Sequence, residues 1–517
     1  MTDDPGAPTG DEAGPEGGPG TGADQPPTGR HGGGDLDLAV AETHSAFVLF
    51  VGDRAYKVKK RVDLGFLDFR DREARLRICR REVELNRRLA PDVYLGVADL
   101  SDVDGTPDDH LVVMRRMPPD RRLARLVTAG APVDDGLWRL AHLLAAFHAS
   151  ADRGPEIDVE ATTDARRRLW HENATSLREA PSGTVDPGDV EAVVALADRY
   201  LDGRDPLFDR RIAEGRARDG HGDLMADDIF LLDDGPRVLD CLEFDDRLRY
   251  GDVLGDVAFL AMDLERLGRP DLADRFLSAY REHADDDWPA SLQHHHVAYR
   301  AQVRAKVSAI RATQGDPDAA ATARRLLALA RDHLERARVR LVLVGGLPGT
   351  GKSTLAAGLG DATGATVLRS DEVRKELAGI PTDRPADAAF GAGIYAGAST
   401  AATYRTLLER AGVALAMGET VVLDASWSDA SWRAQARRVA EEAAADVVEL
   451  RCELPEAVAA ARIAARRAAG GDPSDATAEI AAAMAAAFDA WPSAVPVDTT
   501  DRAAALATAT TAFAART

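Results

Sequence analysis

Lys352 and Ser353 close a glycine-rich stretch, GGLPGTGKST from Gly345 to Thr354, whose residue types and spacing suit a phosphate-binding turn. An apolar run from Val339 to Val344 precedes it, and a helical pattern follows. Backbone N–H groups of such a turn and of the helix start converge on an anion, the lysine reaches the outer phosphates, and the serine hydroxyl can ligate Mg²⁺. Gly346, Pro348, Gly349, Thr350, Gly351, Lys352, Ser353 and Thr354 are therefore the candidate nucleotide-binding residues, with Ser353 also a candidate metal ligand. The competing reading is a glycine-rich turn with no ligand.

A second strand is expected at Thr366 to Arg369, and Ser370-Asp371-Glu372-Val373-Arg374 follows it. A carboxylate there, three residues before a guanidinium, can put a base and a phosphate-binding cation beside one acceptor hydroxyl. Asp371 is the candidate general base and Arg374 the candidate stabiliser of the moving phosphoryl oxygens. The alternative is an N-cap aspartate with a surface arginine. VVLDASW, Val421 to Trp427, aims Asp424 at the same crevice, to hold Mg²⁺ through water, to contact the acceptor, or to cap a helix. Farther on, RIAARRAAGGDPSDA carries Arg462, Arg466 and Arg467 on a helix and Asp475 in a loop. That segment could close as a lid and bring an arginine, with Arg466 the candidate, onto the transferred group.

Another constellation lies upstream: HGDLMADDIF, His221 to Phe230, then VLDCLEF, Val238 to Phe244. An aspartate in a tight loop, a metal ligand a few residues on and an aspartate at a strand end are what a kinase-type catalytic loop requires. Asp223 would be the base, and Asp228 and Asp240 the metal ligands. In AYKVKK, Lys57 fits the strand lysine that holds phosphates, with Lys59 a rival on the same face; Glu82 is the expected partner and Glu84 the second choice. Only six of the 64 basic residues are lysine, so three of them within Lys57 to Lys60 carry weight.

Positioning these groups takes more than one core, and 517 residues exceed what a single core organises. Residues 1–35 form an acidic tail rich in Gly and Pro that is expected to be disordered. A hairpin is expected from Ala46 to Val58 with its turn at Gly52 and Asp53, a helix from Asp71 to Leu89, a strand from His110 to Met114, and helices filling the interval to about Arg338. His142, His148 and the triplet His294 to His296 read as solvated or capping side chains, since three consecutive helical residues point three ways. After Val339 the rhythm changes to strands at Val339–Val344, Thr366–Arg369, Thr420–Leu423, Val447–Cys452 and Val495–Val497, separated by helices. That alternation implies a parallel sheet with ligands at its carboxyl edge.

A net charge of −22 argues against nucleic acid or an anionic membrane as a partner and favours a small hydroxyl-bearing substrate. Cys79, Cys241 and Cys452 are too scattered for a disulfide framework and read as buried thiols. With neither a leader pattern nor a membrane-length apolar run, a cytoplasmic location is expected. Oligomeric state is not legible.

Residues 336–517 resemble the small P-loop kinases of hydroxyl groups within the AAA family of ATPases, including gluconate kinase, zeta-toxin-like and polynucleotide kinases. The resemblance rests on GxxxxGKS, the DxxR at Asp371 to Arg374, LDAS at Leu423 to Ser426 and the arginine-rich segment. It implies ATP, Mg²⁺ and an α/β P-loop domain. Residues 36–335, with AYKVKK, LGFLDF, REVELNRRLAP, HGD, DCLEF and YRAQVRAKV in that order, resemble an aminoglycoside phosphotransferase-like domain of α+β protein-kinase-like fold, fused in a bacterial group to a P-loop kinase. The usual HGDLHxxN would put His at 225 and Asn at 228, where this chain has Met225 and Asp228. The expectation is thus an ATP-dependent phosphotransferase with two kinase-type domains; the alternative is an ATP-binding or ATP-hydrolysing regulator with a degenerate kinase-like half.

Overall fold

The computed structural model describes residues 38–42, 46–62, 69–101, 104–105, 107–381, 396–469 and 477–515. The expected tail, Asp475 and most of LGFLDF lie outside the described residues. The chain forms two compact units, Met1–Pro118 and Pro119–Thr517.

Among the described residues the first unit is an antiparallel sheet with one helix. Its strands are β1 (Leu38–Glu42), β2 (Ala46–Val51), β3 (Arg54–Lys59), β4 (Tyr94–Ser101) and β5 (Pro107–Arg115), in the order β1-β2-β3-β5-β4. Gly52 takes a φ of 57° in the two-residue turn between β2 and β3, a conformation glycine adopts without a Cβ clash. The period of two then puts Ala55, Lys57 and Lys59 on one buried face of β3. The helix Arg72–Asn86 starts at Asp71, whose carboxylate accepts from the Ala74 amide at 2.9 Å, and it buries Cys79, Glu82 and Val83.

The second unit begins with helices, among them Asp134–Ser150, Thr163–Arg178, Pro187–Leu201, Val253–Arg266, Pro270–Ala284, Ala290–Thr313 and Ala319–Ala337. Short strands interrupt them: β6 (Ala217–Asp219) pairs with β9 (Tyr250–Asp252), and β7 (Ile229–Leu232) with β8 (Gly235–Val238). The chain then enters a parallel sheet of β10 (Arg340–Gly345), β11 (Thr366–Arg369), β12 (Val421–Asp424), β13 (Asp446–Glu453) and β14 (Val495–Asp498), ordered β11-β12-β10-β13-β14. Every residue of the central β10 is buried, as a strand covered on both faces demands. Helices Lys352–Thr363 and Arg502–Ala514 pack Leu355, Leu359, Ala505 and Ala509 against Val342, Val344, Val422 and Leu450. Each leucine so buried contributes about 1.5–3 kcal/mol.

Helical bundle and parallel sheet join at the amino edge of that sheet. Asp446, at the start of β13, receives Arg199 at 2.5 Å and Arg338 at 2.6 Å. Arg204 donates to the Ala443 carbonyl and Ser291 to the Gly418 carbonyl, each at 2.7 Å, just ahead of β13 and β12. The carboxyl edge, where β10 runs into the glycine-rich turn, is the opposite one.

Four histidines depart from the solvated or capping role expected of them. His148 is buried between Tyr280 Oη at 2.7 Å and Asp256 Oδ2 at 3.1 Å. His295 stacks on Tyr200 with ring centroids 4.5 Å apart, His296 is also buried, and His294 lies 3.1 Å from His333, nitrogen to nitrogen. Burial drives His295 well below the ordinary imidazole range and takes His294 and His296 down to about 3, so all three are uncharged at neutral pH. The reason is tertiary: Ala290–Thr313 is covered on several sides by other helices, which a single apolar stripe in the sequence does not reveal.

Candidate active site

The turn after β10 is shaped by close backbone approach. A Cβ on Gly346 would stand 2.6 Å from the Cys452 carbonyl oxygen, and one on Gly349 2.6 Å from that of Ala459. Gly351, at φ 84°, is the N-cap of Lys352–Thr363, so the first amides of that helix open toward the cavity. Thr350 Oγ1 donates to the Leu347 carbonyl at 2.7 Å, Lys352 Nζ donates to the same oxygen at 3.0 Å, and Thr499 Oγ1 ties the Thr350 carbonyl at 2.6 Å.

A cavity of about 760 Å³ opens there, lined by Pro348, Gly349, Gly351, Lys352, Ser353 and Thr354 on one side and by Asp371, Arg374, Asp424 and Ser426 on another. Gly346 and Thr350 stand behind this lining as supports of the turn. Asp424, 5 % exposed at the end of β12, accepts from the Ser353 hydroxyl and from Arg369 Nε at 3.3 Å. Burial holds its carboxyl above the ordinary range, while Lys352, Ser353 and Arg369 pull it down and the Asp371 carboxylate pushes it up. Asp424 does not cap a helix; Asp429 caps the one that follows, Ala430–Glu442.

Asp371 and Arg374 sit on the first turns of helix Ser370–Leu377, directly after β11. Arg374 Nη1 donates to Asp371 Oδ1 at 2.7 Å, and the Arg374 side chain is only 11 % exposed. Neither the N-cap aspartate nor the surface arginine of the alternative reading is found, because the N-cap position belongs to Arg369. Arg462 donates to the Thr499 carbonyl at 3.0 Å and lines the cavity. Arg466 and Arg467 lie on helix Glu456–Ala469, but their side chains fall outside the described residues.

Other lining residues carried no usable signal in the sequence. Tyr404 stacks on Trp432 with centroids 5.1 Å apart, and its hydroxyl lies 3.0 Å from Ser426 Oγ. Trp427, behind the lining between Ser426 and Ser428, holds a φ of 52°, unusual for so bulky a residue, while its indole is buried and donates to the Leu423 carbonyl at 3.2 Å. Ser426 and Trp427 fell within the motif VVLDASW, which marked neither for this role.

In the helical part, the segment His221–Phe230 hangs on a residue whose role the sequence did not mark. Asp256 accepts from the amides of His221 at 2.7 Å and Gly222 at 2.8 Å as well as from His148. Burial pushes its carboxyl up, but the His148 hydrogen bond and the nearby His148, His221 and Arg300 hold it far below the ordinary range. Asp263 accepts from the Ala226 amide at 2.9 Å, and Arg300 donates to the Gly222 carbonyl at 3.3 Å. Asp223 lies 4.0 Å from Arg304. Asp223, Asp228 and Asp240 are close enough to repel one another: burial first and then these neighbours raise Asp223, and raise Asp228 well above the ordinary range. Asp240 takes a φ of 64°. Met225 is buried and offers no polar group. Among the described residues no three His, Cys, Asp or Glu side chains are arranged to hold a metal ion. A serine hydroxyl and one carboxylate beside bound phosphates need no such trio.

In the first unit, Glu82 is fully buried and meets both lysines, Lys57 Nζ at 2.8 Å and Lys59 Nζ at 2.7 Å. Glu84 instead pairs with Arg81 on the surface at 3.1 Å. No helix among the described residues is long and apolar enough to cross a membrane.

The α/β P-loop fold and the kinase-like sheet-plus-helices are thus both present. Residues 341–491 match the AAA domain family. Among solved structures, the chain is similar to a choline/ethanolamine kinase family protein from Mesorhizobium loti, at 15% identity and a TM-score of 0.38, over 58% of this chain and 89% of that one. It is also similar to a sugar kinase from Janibacter sp. HTCC2649, at 21% identity and a TM-score of 0.26, over 34% of this chain and 94% of that one. Likeness at this level fixes neither substrate nor reaction. The uncharacterized protein Rv2004c of Mycobacterium tuberculosis (strain H37Rv) is 49% identical over 464 residues, which span 89% of this chain and 92% of that protein. The chain therefore belongs to the family of that mycobacterial protein.

Proposed function

We propose that the protein is an ATP-dependent phosphotransferase whose P-loop domain moves the γ-phosphoryl group of ATP to a hydroxyl of a small molecule. The observation that carries this reading is the meeting of Lys352, Ser353, Asp424, Asp371 and Arg374 around one cavity at the carboxyl edge of the parallel sheet. The turn amides and Lys352 would hold the triphosphate, and Ser353 with Asp424 would hold Mg²⁺, which supplies charge neutralisation between the phosphates. Asp371 would take the proton of the acceptor hydroxyl as its oxygen bonds to the γ-phosphorus and the bond to the departing ADP oxygen breaks. Arg374, already fixed by Asp371, would face the charge that gathers on the moving group.

The kinase-like part is read as subordinate to this site. Met225 supplies neither imidazole nor amide, and Asp228 adds a carboxylate where repulsion is already high. Incubating the protein with Mg²⁺, labelled ATP and a cell extract, then identifying the labelled product by mass, tests the proposal. A phosphorylated metabolite that disappears with Asp371→Asn is expected. Labelled inorganic phosphate alone would turn the assignment toward a nucleotide-hydrolysing regulator.

A further inference from the structure

Beside the catalytic-loop segment, and away from the parallel sheet, lies a small cavity of about 10 Å³. That volume takes one water-sized occupant. Three glycines leave the room: a Cβ on Gly220 would meet Asp256 Oδ2 at 2.7 Å, one on Gly255 His296 Nδ1 at 3.0 Å, and one on Gly251 Arg166 Nη2 at 3.4 Å.

Its walls are strongly cationic. Arg166, Arg218, Arg249 and Arg300 line it, against two carboxylates, Asp252 and Asp256. Arg249 is tied to Asp219 and Asp246. The other three guanidiniums bond only to carbonyls among the described residues. Arg166 reaches Glu160 at 3.0 and 2.5 Å and Tyr250 at 3.2 Å; Arg218 reaches Gly215 and Ala151, each at 2.9 Å; Arg300 reaches Gly255 at 2.8 Å and Gly222 at 3.3 Å. The two carboxylates are already engaged, Asp252 by Arg211 at 2.7 Å and Asp256 by His148 and two amides. Aromatic rings, which carry no net charge, shelter them in part: Tyr299 lies 5.8 Å from Arg166 and 5.5 Å from Arg300, and Phe259 4.8 Å from Arg300. His296, 2 % exposed, also lines the cavity, and its Nε2 is buried without a partner among the described residues.

Buried cations short of counter-charge and an imidazole nitrogen short of a partner call for the same occupant. We infer that this cavity binds a monatomic anion, chloride under ordinary conditions, held by Arg166 and Arg300. Because Arg300 also grips the Gly222 carbonyl, the anion braces the His221–Asp223 turn from behind. It takes no part in phosphoryl transfer, so the inference stands or falls independently of the proposed function.

Crystals of the full chain grown in sodium bromide and measured at the bromine edge give the direct test. An anomalous peak between Arg166 and Arg300 is expected. Water at that position, or bromide on the surface only, overturns the inference. In solution, unfolding temperature should rise by a few degrees in sodium chloride or bromide relative to sodium acetate at equal ionic strength, and Arg166→Gln should abolish the difference. Equal temperatures in the three salts for the unsubstituted protein would count against the site. Should Arg166→Gln fail to fold, the bromide peak decides.

Discussion

The glycine-rich turn at Gly345–Thr354 and the segment from His221 to Asp240 are the two candidate phosphate sites, and they handle negative charge differently. In the first, the turn Gly345–Thr354 meets Asp371, Arg374 and Asp424 around one cavity, and although burial and Asp371 raise the Asp424 carboxyl, Lys352, Ser353 and Arg369 counter that rise. In the second, three aspartates crowd together, eased by Arg304, 4.0 Å from Asp223, and more distantly by Arg300 and Arg122. The first site thus sets its carboxylates among cations, while the second concentrates buried negative charge. The contrast can be broken or sharpened by substitution.

The largest effect should come from Asp371→Asn, which lowers transfer to the acceptor by about 10²–10⁴-fold while leaving ATP affinity unchanged, read by product mass and by calorimetry. Lys352→Ala should weaken ATP binding about 100-fold, the loss of a charged hydrogen-bond donor. At the joint, Asp446→Ala removes the carboxylate that Arg199 and Arg338 share, leaving Arg338 with Glu335, and should lower stability by about 2 kcal/mol, seen as an earlier unfolding transition with ATP binding unchanged.

Asp228 gives a pH-dependent effect of smaller size. Its folded-state carboxyl is raised, so its contribution to stability is fully present below the unfolded value and is lost as pH rises through the folded one. Asp228→Asn should therefore raise the unfolding temperature by a few degrees at neutral pH, with the gain fading below about pH 4. Smallest of all, Asp223→Asn should leave acceptor phosphorylation within about twofold. A drop matching that of Asp371→Asn would reverse the ranking of the two regions.

The fold was legible where structure is local. Strand Thr366–Arg369 and the β2–β3 hairpin follow from period, turn residues and apolar runs, and the lysine face of β3 follows from alternation. Strand β4, Tyr94–Ser101, was missed because half of it is exposed and it owes its place to pairing with β5, with an irregular register near Gly96. Asp256 was missed, and His148 was read as solvated or capping, for a related reason. Their partners lie 34 to 132 residues away, and nothing in their immediate neighbours marks them. Tyr404 and Trp432 reach the cavity from two different helices, a meeting no spacing rule encodes. Conversely, Asp371 and Arg374 were legible together because three residues on a helix keep both on one side.

The most direct test is calorimetric titration of ATP with Mg²⁺ into the full chain and into Lys352→Ala. The account predicts saturable binding by the unsubstituted protein that is lost, at the P-loop site, in the variant. Absence of ATP binding with Lys352 in place, or binding unaltered by its removal, would contradict it.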